Sequence, residues 1–228
     1  MGADAGGAGQ HRDHEPSHQA PGLDAEKKAL AASERRAEDR ASFREQVKPL
    51  DAKRLVFVDE SGSNIALTSL YARAPKGQRA HGSVPRNRGK NTTLLASLSV
   101  EGMGASMLLE GATNGAVFEI YLEHILLPSL APGQIVVMDN LSAHKGARVR
   151  QLIEERGCQL LFLPAYSPDC SPIEETFSKI KAHLRRVGAR TREALEEAMA
   201  QALETVTSQD ALGWFTHCGY LPSHEKKA

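Results

Sequence analysis

The segment from Gln134 to Pro164 constrains the fold of this chain more than any other. It opens with the apolar run "QIVVMDN" (134–140), continues through "KGARVRQLIEERG" at helical spacing as far as Gly157, and closes with a second apolar run, "CQLLFLP". Short continuous apolar runs read as strands buried on both faces, and a glycine just past the last periodic residue closes a helix. Strand, helix and strand within about 30 residues form a βαβ unit, whose strands are parallel and joined by a right-handed crossover.

The rest of the chain adds to that unit. "RLVFVDES", from Arg54, is another apolar run that ends in acid, and further strands are expected at 63–69 ("SNIALTS"), 92–100 ("TTLLASLSV") and 105–111 ("ASMLLEG"), separated by Gly-containing turns. A helix is expected from about Gly115 to Leu127 with Asn114 as its N-cap, and three more follow Ser171. Antiparallel-type strands, a βαβ unit and then helices predict an α/β domain with a mixed sheet and flanking helices.

Residues 1–23 carry almost no large apolar side chains and are expected to be a disordered lead-in, whereas 24–50, rich in Ala, Glu, Lys and Arg, reads as a solvated helical arm. The folded domain is expected over 51–222, with a short tail at 223–228. Cys158, Cys170 and Cys218 show neither CxxC nor Cys/His spacing, so neither a zinc site nor a disulfide framework is expected. That odd, unspaced set of cysteines fits a reduced, cytoplasmic setting, and with no apolar run near the ~18 residues of a membrane helix a soluble protein without a membrane partner is expected.

Three carboxylates stand out. Asp59 ends "LVFVD" and Asp139 ends "IVVMD", so on parallel neighbouring strands they would lie side by side, where open α/β sheets hold their ligands. Like charges that close need a shared proton or a cation, and all-oxygen ligation suits Mg²⁺ or Mn²⁺. Glu174 follows the Pro-rich loop "LPAYSPDCSP", which can turn the next helix back toward the sheet. Each residue also has a structural reading: Asp forms turns, and Ser171 with Glu174 has the spacing of a capping box. Glu175, about 100° further round the helix, is the other candidate.

In this order, "FVDES", "VMDNLSAHKG" and "LPAYSPDCSPIEETFSKIK" resemble the DDE transposases of bacterial insertion sequences, in the branch related to the eukaryotic mariner elements. The likeness runs from about Lys27 to Leu221 and takes in "YARAPKGQRAHG", "KNTTLLASLS", "EGATNGAVFEIYL" and "GWFTHCGYL". It departs at Cys170-Ser171, where the family usually has Leu-Asn, and at Ala72-Arg73, where it often has Gly-Trp. The resemblance implies an RNase H-like fold, a catalytic and metal-holding triad of Asp59, Asp139 and Glu174, and two Mg²⁺ or Mn²⁺ ions. The 34 residues between Asp139 and Glu174 are similar to the family's separation, which selects Glu174 over Glu175.

The implied activity is DNA cleavage and strand transfer, on element ends and target DNA, by a homodimer in a bacterial, nucleoid-associated setting. Such transposases read their terminal repeats with helix-turn-helix domains, for which this chain has no room, so an upstream-frame product is the expected partner. The alternative is a non-catalytic truncated transposase that binds DNA or regulates an intact one.

Lys+Arg and Asp+Glu balance at 28 each, so any DNA surface must be local. From Ser61 to Val100 there is no acid, but there are Arg73, Lys76, Arg79, Arg86, Arg88 and Lys90; a second acid-free stretch, Phe177 to Arg192, includes Lys179, Lys181, Arg185, Arg186, Arg190 and Arg192. With the resemblance, DNA contact is expected of the first six and of Lys181 and Arg185, and His144 and Lys145 are placed to reach a phosphate.

Overall fold

The computed structural model describes residues 32–69, 71–141 and 144–222. The lead-in expected at 1–23, the start of the arm and the tail at 223–228 lie outside the described residues.

Five strands form one sheet in the order β3-β2-β1-β4-β5. β1 (Leu55–Ser63), β2 (Thr92–Ser99) and β3 (Gly102–Glu110) form an antiparallel meander, and β4 (Ile135–Met138) and β5 (Gln159–Phe162) extend the sheet in parallel from the other edge of β1. The expected βαβ unit is β4, helix α4 (Ala147–Glu155) and β5.

Successive strand residues point to opposite faces, so β1 feeds two cores. Leu55 and Phe57 pack with buried residues of α5 (Pro172–Val187), α6 (Arg192–Glu204) and α7 (Ser208–His217). Val56 and Val58 pack on the other face with α4 and with α2 (Gly115–Tyr121), which runs through a π-type turn into the short α3 (Leu127–Ser129). Covered on both sides, β4 is buried along its whole length, which explains its unbroken apolar run. Asn114 caps α2 by accepting from the Val117 amide at 3.0 Å. Phe215 and Tyr220 are buried with their rings 5.2 and 5.1 Å from that of Phe57, and Trp214 packs partly buried beside them.

Two expectations are corrected. Helix α1 (Ala37–Val47) is packed rather than solvated: it buries Arg40, Phe43 and Val47, one face of the helix. One of those three positions is an arginine held by a carboxylate, so an apolar count undervalues the face. Residues 64–69 form no strand. The Asn64 side chain accepts from the Ala66 amide and the Leu67 amide donates to the Asn64 carbonyl, so a local turn takes the backbone groups a strand would need.

Helix α7 is closed by a reciprocal capping box. The Asp210 amide donates to the Thr207 hydroxyl at 3.1 Å, and the Thr207 amide donates to Asp210 at 2.9 Å. Thr207→Ala is expected to cost about 1 kcal/mol in a urea unfolding titration.

Candidate active site

Val58 pairs with Met138 in parallel register, so the next residues, Asp59 and Asp139, leave that pairing side by side. β1 runs on to Ser63 because β2 continues to pair with it, leaving Asp59 within a strand at the point where its β4 neighbour stops. Glu174 arrives from the first turn of α5. All three carboxylates line one cleft of about 400 Å³, walled by Leu163, Ala165, Tyr166 and Pro168 of the loop after β5.

That loop carries local strain. Tyr166 has φ 54°, the one described non-glycine residue in the left-handed region, and its ring is exposed. The turn Pro168–Cys170 follows and delivers the chain to Pro172 at the head of α5. Ser171 occupies the N-cap position but makes no side-chain capping bond, so the capping box that its spacing with Glu174 allowed is absent. Glu174 is therefore not tied back to its own helix end. Glu175 faces elsewhere, bonded to His217 of α7.

The carboxylates are in different electrostatic states. Burial pushes Asp59 up to about 7, and the negative charges of Glu174 and Asp139 push in the same direction against the Glu60 amide, which donates to it at 2.7 Å. Burial also raises Asp139, but the His144 hydrogen bond, the Leu141 amide and the charges of His144 and Lys145 outweigh it and hold that carboxyl below its usual range. One desolvated carboxyl beside two like charges is a site that a cation would relieve.

His144 was expected to reach a phosphate; instead it is fully buried, with its ring centroid 4.3 Å from that of Phe118. Its Nδ1 lies 2.6 Å from Asp139 Oδ1, and because an ionised carboxylate only accepts, Nδ1 carries the proton and donates. A loop histidine five residues past an aspartate carries no sequence signal of burial. The signal available was the spacing itself, which allows a local bond back to Asp139.

The basic residues divide into two sets. Arg73, Lys76, Arg79, Arg86 and Arg88 are exposed on the irregular 71–91 connection and make no ion pair among the described residues, whereas Lys90 pairs with Glu110 at 2.7 Å. In the second stretch Lys179 is held by Asp210 and the Thr205 carbonyl, Arg192 by Glu110 and Glu196, and Arg190 donates to the carbonyls of Ile65 and Leu67. Lys181, Arg185 and Arg186 make no ion pair among the described residues.

The donor set suits a hard divalent cation: three carboxylates from three elements and no competing sulfur or imidazole within the cleft. Among the described residues no group of three or more His, Cys, Asp or Glu side chains stands close enough together to hold a metal ion by itself. An ion of the Mg²⁺ kind keeps several waters and takes its remaining ligands from substrate phosphates, so an open arrangement is compatible with it.

Residues 54–196 match a family model described as DDE superfamily endonuclease. The chain is similar in fold to the Mos1 transposase in its paired-end complex with the left transposon end (20% identity, TM-score 0.69, 89% of this chain and 65% of that one). It is also similar to the mariner Mos1 paired-end complex with Mg (19%, TM-score 0.66, 88% and 64%) and to the isolated Mos1 catalytic domain (19%, TM-score 0.57, 81% and 85%). The chain thus spans just under two thirds of the longer transposase chains. No curated protein matches it in sequence. The five-stranded mixed sheet with flanking helices is the RNase H-like fold of that catalytic domain. No helix among the described residues is long and apolar enough to cross a membrane.

Proposed function

Because the chain belongs to the DDE superfamily endonucleases, we propose that it is the catalytic domain of a DNA transposase, cutting and joining strands with Asp59, Asp139 and Glu174. The observation that carries this reading is the convergence of those three side chains, from β1, the end of β4 and the start of α5, on one cleft. The mariner-type neighbours, in complexes with transposon ends and with Mg, support the choice of DNA as substrate and of a divalent cation as cofactor.

Asp59 and Asp139 would hold Mg²⁺ or Mn²⁺ between them, and Glu174 would complete the holding of a second ion. When bound, such ions supply Lewis acidity to both the attacking and the leaving oxygen of a phosphodiester. The protein's own part is positional. His144 fixes the rotamer of Asp139 through Oδ1, the Glu60 and Leu141 amides steady the two aspartates, and the 163–168 loop walls the cleft. The exposed cations Arg73, Lys76, Arg79, Arg86 and Arg88, with Lys181, Arg185 and Lys145, would carry the DNA backbone, each adding to the salt dependence of binding. Lys90 contributes less, being shared with Glu110. Element ends and target DNA as substrates, a homodimer and a separate helix-turn-helix partner belong to this same proposal.

Nicking of supercoiled plasmid in Mn²⁺ tests it. Wild type should nick and Asp139→Ala should not; nicking retained by Asp139→Ala sinks the assignment. Absence of nicking by a folded wild type in any divalent ion would favour the non-catalytic alternative.

His144 adds a prediction that separates orientation from DNA contact. His144→Ala should slow nicking by about 10–100-fold, as loss of a partner that orients a metal ligand does, and His144→Asn should recover part of it. The salt slope of DNA binding should stay unchanged in both, whereas loss of a phosphate contact lowers it by about one.

A further inference from the structure

We propose that Arg40 is a positioning residue for Glu174, so that helix α1 sets the geometry of the candidate active site through the turn in front of α5. The inference rests on the reading of Glu174 as an active-site carboxylate.

The turn Pro168–Cys170 is gripped by two groups remote from it in sequence. The Arg40 guanidinium donates to both Asp169 oxygens, Nη1 to Oδ1 at 3.0 Å and Nη2 to Oδ2 at 2.6 Å, and Nη1 also lies 3.6 Å from Cys170 Sγ. Arg35 adds a bond at 3.3 Å, and Arg44 stands 4.0 Å away. From the C-terminal side, the buried Tyr220 hydroxyl donates to the Cys170 carbonyl at 2.6 Å. The side chain of Asp169 and the carbonyl of Cys170 are thus both fixed immediately before Ser171.

The asymmetry of burial gives the contact its meaning. Arg40 is buried, with its side chain 10% exposed, whereas the Asp169 side chain is 48% exposed. Docking α1 by apolar contact needs only Phe43 and Val47, and a buried guanidinium is costly unless its partner is well placed. A planar fork on a carboxylate fixes direction as well as distance, which lysine does not. Ser171 supplies no side-chain cap, so the entry angle of α5, and with it the aim of Glu174, depends on the turn that Arg40 holds.

The test uses the full chain and two readouts, amide hydrogen exchange by mass spectrometry and Mn²⁺ binding by calorimetry. In Arg40→Met, exchange over 167–176 should rise at least about tenfold while β1 and β4 keep wild-type protection, and Mn²⁺ affinity should fall about tenfold. Asp169→Asn should do the same, the double variant should be no worse than either single, and Arg40→Lys should fall between. Unchanged exchange at 167–176 overturns the inference, as does an increase spread evenly over β1 and β4, which is mere destabilisation. Should Arg40→Met fail to fold, Arg40→Lys, which keeps the charge and loses only the fork, carries the same comparison. Affinity lost in Glu174→Ala but intact in Arg40→Met overturns the inference alone, and affinity unchanged in Glu174→Ala overturns the reading beneath it.

Discussion

Replacing Asp59 by Asn is expected to abolish plasmid nicking and at the same time to make the ion-free protein more stable at neutral pH. The first effect follows from removing a cation-holding carboxylate: several kcal/mol of transition-state stabilisation corresponds to a loss of about 10³-fold or more. The second follows from the state of Asp59 in the folded protein. Burial and the charges of Glu174 and Asp139 raise it to about 7 from 3.8. A carboxyl raised on folding stabilises fully below its unfolded value, and that contribution is lost as pH rises toward the folded value. Between about pH 4 and pH 7 the unfolded chain releases a proton that the folded one keeps, so stability falls across this window by on the order of 4 kcal/mol. Asn carries no charge, so Asp59→Asn should lack this decline. Thermal unfolding in a chelator checks it: the variant should melt several degrees above wild type at pH 7, and the two should converge near pH 4. A variant no more stable than wild type at pH 7 contradicts the proposed burial and crowding of Asp59.

The gain in stability and the loss of activity have one cause. A group kept where it is electrostatically costly is what a site looks like when it is shaped for a ligand rather than for the fold. Asp139, at the end of the neighbouring strand, illustrates the opposite state: His144 Nδ1 and the Leu141 amide favour its ionised form. Its contribution to stability is present at neutral pH and lost as the medium becomes acid enough to protonate it. The pair therefore offers a cation one carboxylate already charged and one that releases a proton on binding.

How far these features were legible depends on the range over which each is encoded. The pairing of Asp59 with Asp139 was readable because two buried strands announce themselves as apolar runs, and each run ends in its acid. The βαβ segment fixed the parallel direction of β4 and β5 for the same local reason. The strand expected at 63–69 failed because apolar alternation in "SNIALTS" competes with the turn chemistry of Asn64, and the turn won once Arg190 of a distant loop took the carbonyls of Ile65 and Leu67. The Arg40–Asp169 fork spans 129 residues of chain, and neither residue type at its own position signals the other. The burial of His144 was not legible because it is decided by Phe118, on a different element.

Glu174 and Glu175 are adjacent, equally acidic and both in the first turn of α5, yet opposite outcomes are expected from their substitution. Glu174→Gln should reduce nicking about 10³-fold or more, in keeping with loss of a cation-holding group, and should leave the melting temperature near that of wild type, because the side chain is exposed in the cleft and takes no part in capping α5. Glu175→Gln should leave nicking within about threefold and cost a few tenths of a kcal/mol, since what it loses is a bond to His217, whose side chain is 77% exposed. The contrast comes from the helix itself. A step of one residue turns a side chain by about 100°, so a cleft beside the first turn admits one of the two and sends the other to α7. The absent capping bond matters here as well, because a glutamate drawn back to the Ser171 amide would be unable to face Asp59. Parallel nicking assays and melting curves on the two variants decide between them. Equal losses of activity would mean that the α5 turn itself, rather than one carboxylate, is what the site requires.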